Sequence, residues 1–180
     1  RFVKAYLQGE KNDANDARAI AEAASRPNRK SVRIKSIEQQ DLALMVSQRD
    51  SRVQTRTQEA NRLRSVLAEY GITMSQRISS ILKRVPEILE DADNALTARS
   101  RDLVLRQYEL LKTMDEEVKA MDKLLSAEAN NTDDSRRLMT IPGIGPVTAV
   151  SLLALIGDVS DFKRGRNVSE YLGLVPRQNS

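Results

Sequence analysis

The spacing of apolar and polar residues predicts a strand, a helix and a second strand at the start of the chain. Residues 2–7 and 31–35 alternate apolar with polar side chains, which is typical of short strands. Between them, Asn12 and Asp13 look like a helix start, and the helical pattern at residues 16–24 stops before Pro27. Three such elements bury too little surface to fold alone. We therefore predict that residues 1–36 are the end of a larger α/β domain.

A different pattern covers residues 37–70, where positions spaced alternately by four and three residues form one seam. The seam consists of Leu42, Val46, Arg49, Val53, Arg56, Ala60, Leu63, Leu67 and Tyr70. This spacing is typical of a long helix that packs along a heptad stripe. It leaves two interpretations open, an intramolecular helical bundle or a coiled-coil arm that pairs two protomers. Arg49 and Arg56 weaken a simple dimer seam, yet we expect the long helices to support a homo-oligomer.

Two further helices are predicted in the middle of the chain. The first covers about 75–92 and contains Pro86, which should kink or divide it. The second covers about 96–129, carries its own apolar stripe, and is followed by a polar break. Residues 37–130 are therefore expected to form a helical, coiled-coil-like arm.

The last segment, residues 133–180, has the features of a helix-hairpin-helix. Helices are expected at 135–140 and 146–156, joined by Pro-Gly-Ile-Gly, and a third short helix at 167–172. The two glycines of the connection allow a sharp turn and a close approach to a DNA backbone. Free amides at the start of the second helix can bind a phosphate, so the unit would grip DNA without reading bases.

Eight residues of this segment are candidate DNA contacts. They are Gly143, Ile144, Gly145, Val147 and Thr148 of the hairpin, with the basic cluster Lys163, Arg164 and Arg166. A basic cluster can add contacts to phosphates. The structural alternatives are a turn that serves packing only and a basic loop that is simply solvated.

Composition narrows the chemistry that the chain can perform. Because its 180 residues include no Cys and no His, it has no disulfide, no thiol nucleophile and no histidine-based catalysis or metal site. Any metal would be bound by carboxylates, which suits Mg²⁺ or Mn²⁺. The net charge of +4 favours a polyanionic partner only modestly. No apolar run reaches membrane-spanning length, so we expect a soluble, cytoplasmic protein with no membrane partner.

Asp13 and Asp16 are the candidate metal ligands and catalytic acids. They are three residues apart on one predicted helix, so they share a face and could both reach one metal ion. The alternative is structural, with Asp13 as an N-cap and Asp16 in the first turn, where the helix dipole favours an acid. Spacing alone favours the structural alternative.

Five stretches spread along nearly the whole chain match the motifs of one known protein family. Lys-Asn-Asp-Ala-Asn-Asp-Ala at 11–17 resembles the Lys-Asn-Asp-x-x-Asp-Ala motif, and residues 32–41 resemble the stretch that follows it. Residues 67–72 resemble the end of the family's long helix. Ile-Pro-Gly-Ile-Gly-Pro at 141–146 and Tyr-Leu-Gly-Leu-Val-Pro at 171–176 resemble its C-terminal domain. With these motifs the chain resembles the insertion-sequence-110 transposase family, in particular its insertion-sequence-1111 branch.

This resemblance implies a RuvC-like domain whose metal site is built from Asp, Glu, Asp and Asp. Asp13 and Asp16 match the last two acids. The first two would precede Arg1, so the chain is expected to be an internal piece of a longer protein. The resemblance also implies a serine nucleophile shortly after the Gly-Leu-x-Pro motif, which would be Ser180 or a following serine. It further implies a guide RNA from the ends of the mobile element.

Together these observations predict a mainly α chain from a DNA transposase or recombinase that cleaves and exchanges strands. Carboxylate-bound Mg²⁺ (or Mn²⁺) and a serine would provide the chemistry, and the fragment alone would lack a complete active site. One alternative is a non-catalytic DNA-binding module with a helix-hairpin-helix and a dimerising coiled coil. Another is a purely helical scaffold.

Overall fold

A computed structural model describes residues 12–25 and 34–174, and all regular secondary structure in these ranges is helical. The α-helices are α1 (Asp13–Ala24), α2 (Ile37–Glu69), α3 (Ile78–Glu90), α4 (Ala98–Asn131), α5 (Asp133–Met139), α6 (Pro146–Ile156) and α7 (Gly165–Tyr171), with a 3-10 turn at Val159–Asp161. The prediction of a mainly α chain is confirmed. The two predicted strands lie outside the described residues, except for Ile34 and Lys35, which belong to no regular element.

The chain separates into two compact units, Arg1–Ile34 and Lys35–Ser180. The first contains α1, on which Ala19 and Ala23 are buried. The second contains α2 to α7 and is built on α2 and α4, the two longest helices.

A capping box starts α2 at the predicted position. The Gln39 amide donates to Ser36 Oγ at 3.2 Å, and the Ser36 amide donates to Gln39 Oε1 at 3.0 Å, so two end amides are satisfied reciprocally. The helix then continues for 33 residues and ends one residue before Tyr70.

The seam of α2 packs against α4 of the same chain in antiparallel orientation. Arg49 Nε contacts Asp122 Oδ1 at 2.9 Å, and Arg56, seven residues later, contacts Asp115 Oδ1 at 2.6 Å. The acidic partners are also seven residues apart but run in the opposite direction. The heptad seam is therefore used within the chain, and its two arginines form its polar contacts.

Two apolar clusters stabilise the two ends of the α2–α4 pair. The first surrounds Leu63, Leu67 and Leu111, and it includes buried residues of α3. The second surrounds Leu125 and Val150, so it joins α6 to α2 and α4. The ion pairs of Arg49 and Arg56 lie along the helices between these clusters, because residues 47–59 of α2 contain one large apolar side chain, Val53.

The third helix begins later and ends earlier than predicted, at Ile78 and Glu90, and Pro86 does not divide it. Its carboxyl end is satisfied from α4, since the Arg101 guanidinium donates to the carbonyls of Ile88, Leu89 and Asp91. Tyr108, two turns after Arg101 on α4, donates to the Leu82 carbonyl at 3.2 Å. The sequence numbers rise on α4 as they fall on α3, so α3 is antiparallel to α4 and parallel to α2.

Candidate functional site

The acidic pair lies in the first turn of α1, as the spacing predicts. Asp13 is exposed and Asp16 is half-buried. The capping oxygen comes from Asn12, whose Oδ1 accepts the Asn15 amide at 2.8 Å. The interpretation of Asp13 as the N-cap is therefore wrong, because the cap is one residue earlier. Both carboxylates are left on the helix rather than at its cap.

Of the site residues predicted from the sequence, α1 brings together two that can bind a metal, Asp13 and Asp16. Carboxylate oxygens suit a hard divalent cation, so the pair fits part of a Mg²⁺ shell. Across residues 12–25 and 34–174, no group of three or more Asp, Glu, His or Cys side chains is placed to hold a metal. Ser180, the predicted nucleophile, lies outside the described residues.

In the segment predicted to be a helix-hairpin-helix, the structure has two helices, α5 and α6, joined by a short connection. Gly143 has φ +91°, a backbone conformation that L side chains rarely adopt, and the Ile144 amide donates back to the Ile141 carbonyl at 3.1 Å. Gly145 is the residue before α6 and has φ −95°, an extended conformation open to any residue. Only the first glycine is therefore required by the turn itself. A functional need for glycine at position 145 would have to come from a molecule that binds the turn.

The candidate residues of this turn divide into packing and surface positions. Ile144 and Val147 are half-buried, and Val147 packs against the cluster of Leu125 and Val150. Thr148 and Gly143 are exposed. Pro146 occupies the first helical position, where its missing N–H costs no hydrogen bond. The next amides have no partner within the helix and remain available to an anion.

The basic cluster Lys163, Arg164 and Arg166 is exposed but lies at the other end of α6 from the turn. The segment is anchored by Tyr171, whose hydroxyl donates to the Leu155 carbonyl at 3.3 Å. Because Leu155 is near the end of α6, about 14 Å of helix separates this anchor from Pro146. The structure does not bring the basic cluster and the turn together at one point.

No helix within residues 12–25 and 34–174 has the length and apolar character needed to cross a membrane.

Two family models match the chain, one at each end. A model of the IS110 DEDD domain, described as a transposase, matches residues 1–72. A model described as the transposase IS116/IS110/IS902 family matches residues 135–180. The acidic pair lies in the first match, and the α5–α6 turn lies in the second.

Full-length relatives are similar over the entire chain. The transposase for insertion sequence element IS1111A of Coxiella burnetii is 40% identical over 100% of this chain and 50% of its own length. A probable family 20 transposase of Pseudomonas aeruginosa is 35% identical over 100% of this chain and 54% of its own length. The transposase for IS1328 of Yersinia enterocolitica is 32% identical over 100% of this chain and 53% of its own length.

The chain thus spans about half the length of these curated relatives. No solved structure matches it. The chain thus carries two stretches that match IS110 family transposase domains, and along its whole length it is similar to transposases of insertion sequences.

Proposed function

We propose that this chain is part of a DNA transposase in which Asp13 and Asp16 are metal ligands of the strand-transfer site. The observation that carries the proposal is the position of the pair. The two carboxylates share the first turn of α1, Asn12 provides the cap in their place, and the turn lies within the matched DEDD transposase region. An acidic pair that the helix does not need for capping is available for a ligand.

The chemistry follows from the types of side chain that the resemblance implies. Asp13 and Asp16 would hold Mg²⁺ or Mn²⁺, which stabilises negative charge on phosphate oxygens. A serine, Ser180 or one that follows it, would attack a DNA phosphate through its Oγ. That step forms a phosphoserine ester and releases a DNA hydroxyl. A hydroxyl of the second DNA strand would then attack the ester and release the serine, so two transesterifications exchange the strands.

The test uses the complete protein rather than this chain, because the first two acids of the site are expected elsewhere. Asp16→Asn removes one ligand charge while nearly preserving shape. Strand exchange between two plasmids should fall by at least about a hundredfold, while DNA affinity and melting temperature stay as in the parent. The matched control is Asp134→Asn, which removes an exposed first-turn acid from α5.

Normal strand exchange by Asp16→Asn would remove the metal assignment. A large loss of melting temperature in the same variant would make Asp16 structural. If the complete protein binds DNA but never cleaves it, the chain belongs to the alternative class, a non-catalytic DNA-binding module.

The α5–α6 turn is the proposed contact with the DNA backbone. Gly145 leaves its Cβ position open, and the amides after Pro146 face no helical partner, so a phosphate can approach closely. Gly145→Val should weaken binding to every duplex sequence without lowering stability, because φ −95° accepts a β-branched residue. Parent-like affinity in this variant would exclude the turn as a backbone contact.

We also propose that the complete protein binds a guide RNA and self-associates. The α2 seam is occupied by α4, so a second protomer would have to use another face. Leu103, Leu110 and Leu124 of α4 are exposed and are spaced by seven and fourteen residues, which places them on one side of the helix. Leu110→Gln should lower the mass measured by light scattering if this side joins two copies.

A further inference from the structure

Cations in the middle of the arm and cations beside α3 have different partners. Along α2 and α4, Arg49, Arg52 and Arg56 each pair with a carboxylate. Residues 71–86, by contrast, contain three cations and neither Asp nor Glu. The loop before α3 and the first two turns of that helix therefore form a surface with no acidic residue of their own.

Four cations define this α3 basic surface, and they are Arg64, Arg77, Lys83 and Arg84. Two of them hold the loop in place. Arg64 donates to the Gln76 carbonyl at 2.7 Å, and Arg84 donates to the Thr73 carbonyl at 3.3 Å. Carbonyl acceptors are neutral, so both guanidinium groups keep their full positive charge while they fix the loop.

The other two cations face the solvent. Arg77 and Lys83 are exposed, and no carboxylate in the described part of the chain pairs with either of them. Together with Ser75, Gln76, Ser79 and Ser80 they line an open depression of about 650 Å³. The lining thus combines positive charge with hydroxyl and amide hydrogen-bond donors, and it contains no aromatic ring.

This surface lies along the same side of α2 as α6. Residues 43, 47, 50 and 54 of α2 line the groove beside α6, and Arg64 continues their alternating four-three spacing. Helix α6 is antiparallel to α2, because Gly157 at its end lies against Gln39. Its start, with the α5–α6 turn, therefore points towards Arg64. Because Pro146 is eleven residues from Gly157, the start of α6 lies about level with residue 50 of α2, and from there to Arg64 the helix rises by about 21 Å.

From these placements we infer that the α3 basic surface binds the phosphate backbone of duplex DNA, as a second contact beside the α5–α6 turn. Unpaired cations bind a polyanion with release of its counterions. Single strands are usually bound through aromatic rings on which bases stack, and this surface has none, so a duplex fits better. The inference rests on the proposed DNA-binding function. It adds a DNA contact whose residues are not among the candidates predicted from the sequence.

The experiment removes the two solvent-facing cations. In Arg77→Gln/Lys83→Gln, the affinity of the chain for a 30-base-pair DNA duplex of arbitrary sequence is measured by fluorescence anisotropy between 0.05 and 0.3 M salt. The matched control is Arg99→Gln/Lys123→Gln, which removes two exposed cations of α4 and changes the net charge equally. Circular dichroism verifies that both variants keep the helical content of the parent.

Loss of two phosphate contacts should reduce the slope of log K against log salt by about two and weaken binding about tenfold or more at 0.1 M salt. The control should change the affinity by less than about twofold, because its cations lie outside the surface. Equal losses in both variants would show an effect of net charge alone and overturn the inference. A loss seen with duplex RNA or single-stranded DNA but not with duplex DNA would overturn the assigned partner.

These outcomes are separate from those that test the proposed function. If Arg77→Gln/Lys83→Gln binds as the parent does while Asp16→Asn abolishes strand exchange in the complete protein, the transposase proposal stands and only the second contact fails. If the parent chain binds no duplex at 0.05 M salt, the α3 surface is excluded as a DNA contact, and strand exchange remains an independent measurement.

Discussion

Removal of one partner of the ion pair between Arg56 and Asp115 should strongly destabilise the α2–α4 pair. The Asp115 side chain is 9% exposed and that of Arg56 is 18% exposed. Asp115 accepts from Arg56 at 2.6 Å and from Lys119 at 2.7 Å. The Nε of Arg56 is buried without a partner, so this guanidinium depends on the carboxylate.

Replacing Asp115 with Leu removes the acceptor and leaves a buried cation unpaired. Breaking a buried pair in this way typically costs about 3–5 kcal/mol. Because Arg56 can partly reach solvent, we expect the low end, about 3 kcal/mol of unfolding free energy. Arg56→Met should cost less, since Lys119 continues to neutralise Asp115. The double variant should recover most of the loss, because two apolar residues replace two charges.

Urea denaturation followed by circular dichroism measures the unfolding free energy of the parent, the two single variants and the double variant, which together form a double-mutant cycle. We expect these four values to give a coupling energy of about 2 kcal/mol between positions 56 and 115. A short distance between two charges would not by itself produce a coupling of this size. The control cycle uses Arg106 and Asp102, an exposed pair on α4 at 3.0 Å, for which we expect a far smaller coupling. Equal coupling in the two cycles, or a double variant no more stable than Asp115→Leu, would refute the dependence of Arg56 on its partner.

Three further predictions concern the titration of Asp115 and the backbone conformation of glycines. Burial raises the pKa of Asp115, but hydrogen bonds from Lys119 and Arg56 outweigh it and lower that pKa below its usual value. The pair therefore stabilises the fold above about pH 3.9 and loses this effect as the pH falls towards the lowered pKa, a loss that acid titration of Asp115→Asn should not show. Gly143→Ala should cost about 1 kcal/mol in thermal denaturation, while Gly145→Ala should not destabilise. Gly157→Ala should also destabilise in the same assay, because its φ of +66° is a conformation that L side chains rarely adopt, while the flexible Gln39 side chain can move away from the new Cβ.

Local signals in the sequence predict most of the helices well. The start of α2 follows from Ser36 and Gln39, whose capping box fixes the first turn, and its end follows from Gly71 with φ +75°. Boundaries without such signals were predicted less well. The third helix starts at Ile78 after a loop that Arg64 and Arg84 hold, and these bonds join residues 11 and 12 positions apart. No rule of local spacing gives such contacts.

The candidate functional residues divide in the same way into those that local spacing predicts and those that depend on contacts between distant segments. The shared face of Asp13 and Asp16 follows from three-residue spacing, and the need for glycine at 143 follows from the tight turn. The basic surface of α3 could not be predicted in this way. Whether a carboxylate neutralises a cation depends on which helix packs against it. The local sequence around Arg56 and around Arg77 does not show which of the two has such a partner. Only the pairing of α2 with α4 separates them.

The two arginines of the seam acquire a different meaning once their partners are known. As interruptions of an apolar stripe they argue against a simple dimer. As partners of Asp115 and Asp122 they fix the register of the antiparallel α2–α4 pair, because both ion pairs form together at only one offset of the two helices. A shift of α4 by one heptad would keep one pair and leave one arginine and one aspartate unpaired. Apolar contacts alone would tolerate that shift far better, so the two ion pairs select one alignment, and the largely buried Arg56–Asp115 pair does so at some cost in stability. The position of the α5–α6 turn relative to the α3 basic surface therefore depends on these charges as much as on the leucines.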